Sequence, residues 1–214
     1  MTTTPQVGAL LAHRLLAYDG SRIDGGLYTT VTRWAQDAPH WLDQVIKVWS
    51  NFGLGLFAVF MIWGWLKARR ADSVVMARVL ASPLIVVAVY AVNSVLKGMV
   101  QEVRPCQQLP ATVTVDACPG VGDWSFPSNH SVIAFSAAVA LLLAYRKLGA
   151  VALVAAALMA ASRVWIGVHY PHDVLVGSLI GIVVGLPLAV LAGKAAPLVD
   201  RLRGGALGAA LGSG

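Results

Sequence analysis

The chain is predicted to be all-α: an integral membrane bundle of about five transmembrane helices, preceded by an interfacial helical segment. Three observations predict this. Hydrophobic residues make up 57% of the 214 positions and charged residues only 12%, whereas a water-soluble domain carries roughly a quarter charged residues. Five long runs are free of charge. Basic residues gather between alternate runs.

The uncharged runs cover 48–66, 79–96, 131–145, 148–162 and 174–193. A bilayer-spanning helix needs about 20 mostly apolar residues, with roughly 17 as the lower limit. The first, second and fifth runs reach that length alone. The third and fourth reach it only if their helices continue into neighbouring polar residues, which would sink those residues below the membrane surface.

The first 40 residues lack a continuous apolar core and carry Arg14, Asp19, Arg22, Asp24, Arg33 and Asp37, unlike a cleavable signal peptide. They are expected to lie along the membrane, with Leu10, Leu11, Leu15 and Leu16 as the apolar side; a loosely ordered leader fits equally well. Residues 41–203 then form the transmembrane domain, and the Gly- and Ala-rich residues 204–214 a flexible tail.

The net charge of +6 does not point to nucleic acid, because its distribution follows the positive-inside rule. Lys67, Arg69, Arg70 and Arg78 separate runs one and two, Arg146 and Lys147 separate three and four, and Lys194, Arg201 and Arg203 follow five. These three segments share a side, expected to be cytoplasmic. The amino terminus then lies outside, where its basic residues are balanced by Asp19, Asp24, Asp37 and Asp43.

Three polar islands interrupt the apolar pattern: Lys97 with Arg104–Pro105, then Pro127–Ser128–Asn129–His130, then Ser162–Arg163 with His169 and Asp173. Each ends or begins a run, so alternating helix direction brings all three to one membrane face. Ionisable residues at membrane depth usually mark function. Lys97 and Arg104 are seven residues apart, two helical turns, and are expected to point the same way from one helix, which Pro105 discourages from continuing. Ser128 or Asn129 suits an N-cap, and a helix N-terminus seats phosphate. Arg163 offers a planar fork for two phosphate oxygens. Pro171 fits a first helical turn, leaving Asp173 to accept from one nitrogen of His169 and freeing the other to attack.

Lys97-x6-Arg104-Pro105, Pro127-Ser128-Asn129-His130 and Ser162-Arg163-x5-His169-x3-Asp173 together resemble the three-part signature of the type 2 phosphatidic acid phosphatase (PAP2) superfamily. The Phe-Pro-Ser-Asn-His and Val-His-Tyr-Pro strings look most like its bacitracin-resistance type of undecaprenyl-diphosphate phosphatases. The resemblance implies a phosphatase acting on a membrane lipid phosphate without metal or other cofactor. It implies that His169 is the nucleophile oriented by Asp173, that His130 is the acid and base, and that Lys97, Arg104, Ser128 and Arg163 hold phosphate oxygens. Asn129 stands where the superfamily commonly has Gly, at a position where the backbone N–H is what matters.

His172 does not fit the signature spacing and is expected to be structural. A metal site from His130, His169, His172 and Asp173 has suitable ligand types but sits among Lys and Arg, which repel cations. Glu102 is expected to pair with the neighbouring Lys97 or Arg104, and Trp124 could line the mouth of the site. Cys106 and Cys118, the only cysteines, share one outer loop, where a disulfide is expected. Two other functions match the residues less well. An anion transporter would place Arg and Lys inside a bundle but needs no His–Asp pair, and Ser128 lies too close to His130 in sequence for a serine-protease arrangement.

Overall fold

The computed structural model describes residues 18–109, 111–205 and 207–212; Leu10, Leu11, Leu15 and Leu16 lie outside the described residues. The helices are α1 Ser21–Asp37, α2 His40–Phe52, α3 Leu54–Ala68, α4 Ser73–Val100, α5 Pro105–Gln108, α6 Asn129–Ala144, α7 Arg146–Trp165 and α8 Pro171–Ala192. A 3-10 turn, Gly193–Ala195, leads to α9 Ala196–Arg203 and α10 Gly208–Leu211. α4, α7 and the unit formed by α8 and α9 are each long and apolar enough to cross a membrane. The chain is an all-helical membrane bundle.

The first apolar run is not one straight helix. α2 and α3 meet at Gly53 with a bend of 54°. A Cβ on Gly53 would stand 2.8 Å from Met159 Cε of α7, so a glycine permits this close crossing. α2 leans on α7, where the Trp165 indole donates to Asp43 Oδ1 at 2.8 Å.

α6 has only 16 residues and occupies the centre, packed by α8, α7, α4 and α3. Its Ala134, Ala137, Ala138 and Ala140 are fully buried, as expected for a helix apolar on every side. α8 meets it through Gly177, Gly181 and Gly185, one residue per turn. A Cβ at Gly181 would lie 2.9 Å from Val132 O, so these small residues let the two backbones approach.

Arginines at the end opposite the polar islands secure helix ends. Arg78 Nη1 donates to Leu143 O at 2.8 Å, and Arg203 Nη2 donates to Ala68 O and Ala71 O at 3.2 and 2.9 Å. The carboxy-terminal stretch folds back here: Arg69 Nη2 donates to Ala209 O at 2.7 Å, and Leu211 is buried.

α4 stops earlier than the Lys97–Arg104 spacing suggested. Gln101 adopts a left-handed conformation, φ 53°, and its N–H closes the last turn on Lys97 O. The chain then pairs with the amino-terminal segment, Val103 N–H donating to Tyr18 O at 3.1 Å. Lys97 therefore lies on a helix and Arg104 on extended chain before α5. Their convergence is tertiary and does not come from helical periodicity.

Candidate active site

All three polar islands meet at the amino-terminal ends of α6 and α8 and the carboxy-terminal ends of α4 and α7. Lys97, Arg104, Ser128, Arg163, His169 and Asp173 are buried. His169 lies between α7 and α8. Its Nδ1 is 3.1 Å from Asp173 Oδ2 and its Nε2 is 3.1 Å from Arg104 Nη1. A carboxylate only accepts and a guanidinium only donates, so the proton sits on Nδ1 and the lone pair on Nε2. Burial, and then the charges of Arg104, Arg163 and Lys97, hold the imidazole's pKa well below its ordinary value. The ring is neutral, with its Nε2 lone pair free of a proton.

Asp173 is fully buried, and three donors meet its Oδ2: His169 Nδ1, the Tyr170 N–H at 2.8 Å and the Ser125 hydroxyl. The Tyr170 bond forms part of a capping box that starts α8. The capping interaction thus also aims the carboxylate at His169.

Arg104 is held in place by donation to Asp123 O at 2.8 Å and Val168 O at 2.8 Å, and by an ion pair with Asp123 Oδ1 at 2.9 Å. Lys97 Nζ donates to the carbonyls of Trp124 and Ser125 at 2.5 and 3.3 Å. Arg163 Nη1 donates to Ser50 Oγ on α2 at 2.9 Å, while its buried Nε has no hydrogen-bond partner among the described residues. Ser128 caps α6 by position, yet its buried hydroxyl also has no hydrogen-bond partner among the described residues. Two buried polar groups left open beside a helix N-terminus suit the oxygens of an incoming phosphate. His130, on the first turn of α6, lies in the field of Arg163, Arg104 and Lys97.

Asn129 is anchored by its side chain: Asn93 Nδ2 donates to its Oδ1 at 2.7 Å. Its backbone amide stays at the head of α6. The loop before Ser128 is fastened by the Cys106–Cys118 disulfide and by donation from Gln107 Nε2 to Pro119 O at 2.8 Å; its Phe126–Pro127 peptide is cis.

Glu102 departs from its expected pairing. It contacts neither Lys97 nor Arg104; its Oε1 lies 2.9 Å from His172 Nε2. The reason is the break after α4, which turns Glu102 away from the cationic side and toward α8. Among the described residues, Glu102, His172 and Asp173 form one group of potential metal-ligand atoms, all within 4.8 Å of one another. Both ring nitrogens of His172 already face carboxylates, Nδ1 being 2.8 Å from Asp24 Oδ1.

Sequence reasoning missed the supporting polar residues Ser50, Asn93, Ser125 and Asp123. Two of them carried a signal. Ser50 and Asn93 are polar residues inside otherwise apolar runs, and Asn93 stands one helical turn before Lys97.

The chain is 26% identical over 159 residues to Undecaprenyl-diphosphatase BcrC of Bacillus subtilis (strain 168), covering 74% of this chain and 79% of that one. It is 36% identical over 90 residues to the undecaprenyl-diphosphatase of Sulfolobus acidocaldarius, covering 42% of this chain and 43% of that one. The crystal structure of a transmembrane PAP2 type phosphatidylglycerolphosphate phosphatase from Bacillus subtilis shares the fold, with a TM-score of 0.56 at 23% identity, over 88% of this chain and 96% of that one. The PAP2 superfamily model matches residues 78–196, more than half the chain and all three polar islands. This chain belongs to the PAP2 superfamily.

Proposed function

We propose that the protein is a membrane lipid diphosphate phosphatase that works through a phosphohistidine on His169, without a metal ion. The single observation that carries this reading is the His169 ring, with Nδ1 bound to Asp173 and Nε2 aimed at Arg104. Nucleophilic catalysis needs an oriented base of this kind.

A terminal phosphoryl group arriving at Arg104 takes over the donor that now faces Nε2. Nε2 then attacks phosphorus, the bond to the bridging oxygen breaks, and His130 protonates the departing lipid monophosphate. Asp173 stabilises the positive charge that develops on the ring. In the second step His130 takes a proton from water, which attacks the phosphohistidine and releases inorganic phosphate. Lys97, Arg104, Arg163, the Ser128 hydroxyl and the Asn129 amide stabilise the equatorial oxygens. Three cationic side chains supply the charge that a metal would otherwise bring.

The favoured substrate is undecaprenyl diphosphate, supported by the names of the relatives with detectable sequence identity. Phosphatidylglycerol phosphate is the second reading, supported by the function named for the structural neighbour; phosphatidic acid and prenyl-phosphoryl sugar phosphates would use the same chemistry. The site is assigned to the extracytoplasmic face, because nine of the 16 Lys and Arg residues fall in the three segments on the opposite side.

Phosphate release by the purified protein in detergent, with EDTA present, tests the reading. C55 diphosphate is expected to outpace phosphatidylglycerol phosphate and phosphatidic acid. Loss of activity in EDTA, restored by one added metal, would defeat the metal-free mechanism. For sidedness, Arg70→Cys in intact cells should resist a membrane-impermeant maleimide, and Cys118 should react only after reduction; the opposite pattern reverses the topology.

A further inference from the structure

We propose that His172 is a positioning residue for the His169–Asp173 pair: clamped as an imidazolium between Asp24 and Glu102, it supplies the counter-charge that keeps buried Asp173 ionised. The proposal rests on the reading that His169 and Asp173 carry turnover.

Hydrogen-bond chemistry sets the charge state of His172. Nδ1 lies 2.8 Å from Asp24 Oδ1 and Nε2 lies 2.9 Å from Glu102 Oε1. Ionised carboxylates offer no proton, so both nitrogens carry one and the ring is a cation. Its orientation is fixed independently. The His172 backbone N–H donates to Asp24 Oδ2 at 2.7 Å, and the ring stacks on Tyr170 with centroids 5.3 Å apart and planes at 15°.

The need for this cation comes from the carboxylates. Glu102 is 1% exposed and Asp173 0%, and their oxygens lie within 4.8 Å of each other. Two anions this close, away from water, oppose each other's ionisation. Three donors meet Asp173 Oδ2, but Oδ1 has no hydrogen-bond partner among the described residues. The nearest cation on that side is His172 Nε2, 3.6 Å away. The other charged or titratable groups around Asp173 are His169 and Tyr170 just before α8, Glu102 before α5 and Lys97 on α4, with Asp24 of α1 reaching it through His172. His172 therefore links α1, the first polar island and the nucleophile's partner in one charge network.

The test uses the uncharged variants His172→Gln and Glu102→Gln and their double, as full-length protein in detergent, with kcat/KM for C55 diphosphate measured against pH. Removing the cation should move the acidic limb to higher pH by about one unit, read as a roughly tenfold loss at a fixed pH on that limb, while the plateau stays within a few-fold of wild type. Removing the Glu102 anion should move the limb to lower pH, and the double variant should return toward wild type. Equal losses at every pH with an unmoved limb would overturn the proposal, because misfolding or loosened packing lowers activity without displacing it. If His172→Gln does not fold, Glu102→Gln decides: a limb that stays in place or moves upward overturns the proposal. His169→Ala, assayed in parallel, separates the two readings. Its continued turnover would sink the phosphohistidine mechanism and this inference with it, whereas an inactive His169→Ala beside unmoved limbs would remove the inference alone.

Discussion

The backbone N–H of Ser128 donates to the carbonyl of Asp173 at 3.1 Å, joining the second polar island to the third at the heads of α6 and α8. The heads of α6 and α8 are therefore tied through backbone, and the geometry between the islands depends on how closely the two helices approach.

That approach can be tested at Gly177. A Cβ there would stand 2.7 Å from Ser128 O and 3.2 Å from the Ser131 side chain, and backbone cannot move aside cheaply. Gly177→Ala should cost about 1–3 kcal/mol of stability and, by shifting Ser128 against His169, lower kcat by up to roughly 100-fold. At Gly185 the nearest atom, 3.1 Å away, is the side-chain Val139 Cγ2, so Gly185→Ala should be milder on both counts. Thermal unfolding and phosphate release, measured side by side, check the ranking.

His169→Ala should abolish turnover, by roughly 10⁴-fold or more, with the protein still folded and inserted. His130→Ala should behave differently. A lipid monophosphate leaves with little acid assistance, but water needs a base, so this variant should accumulate a phosphorylated enzyme. A rapid burst followed by slow release, with acid-labile phosphate on the protein, is the expected result.

Arg163 depends on Ser50, whose hydroxyl accepts from Nη1 at 2.9 Å. Ser50→Ala leaves that buried donor unpaired, at about 1–3 kcal/mol, and frees the fork to tilt. kcat/KM should fall roughly 5- to 100-fold with little loss of membrane expression. Arg163→Lys should be worse, since an ammonium cannot grip two oxygens in a plane. Steady-state kinetics on the two variants check this order.

The neutral state of His169 makes a pH prediction. Burial and neighbouring cations lower its folded pKa well below the ordinary value of 6.5. The unfolded chain therefore binds a proton below about pH 6.5 that the folded chain refuses. The stability this group contributes is complete above that pH and is lost as pH falls from there toward the folded value. Thermal unfolding in detergent should show stability declining with acid by up to about 1.4 kcal/mol per pH unit from this residue. His169→Gln should flatten the slope by that amount, and identical slopes in the two proteins would refute the neutral, buried ring.

The sequence by itself determined the membrane bundle and the three islands at one end of it. Apolar run length and charge placement are local properties, and alternating helices carry their ends to alternate faces whatever the packing. The residue types at His169 and Asp173 and their spacing sufficed to anticipate a loop histidine bonded to a carboxylate one turn into the next helix. Tertiary structure alone decided the rest. The left-handed Gln101 removed Arg104 from the helix of Lys97 and turned Glu102 toward His172, because pairing with Tyr18 competes with helix continuation and involves a partner 84 positions away in sequence from Glu102. Ser50 and Asn93 became supports of Arg163 and Asn129 only once α2 and α4 packed beside α7 and α6. Hydrogen bonds between distant segments leave no periodicity in a sequence, so polar residues inside apolar runs reveal their partners only in the folded bundle.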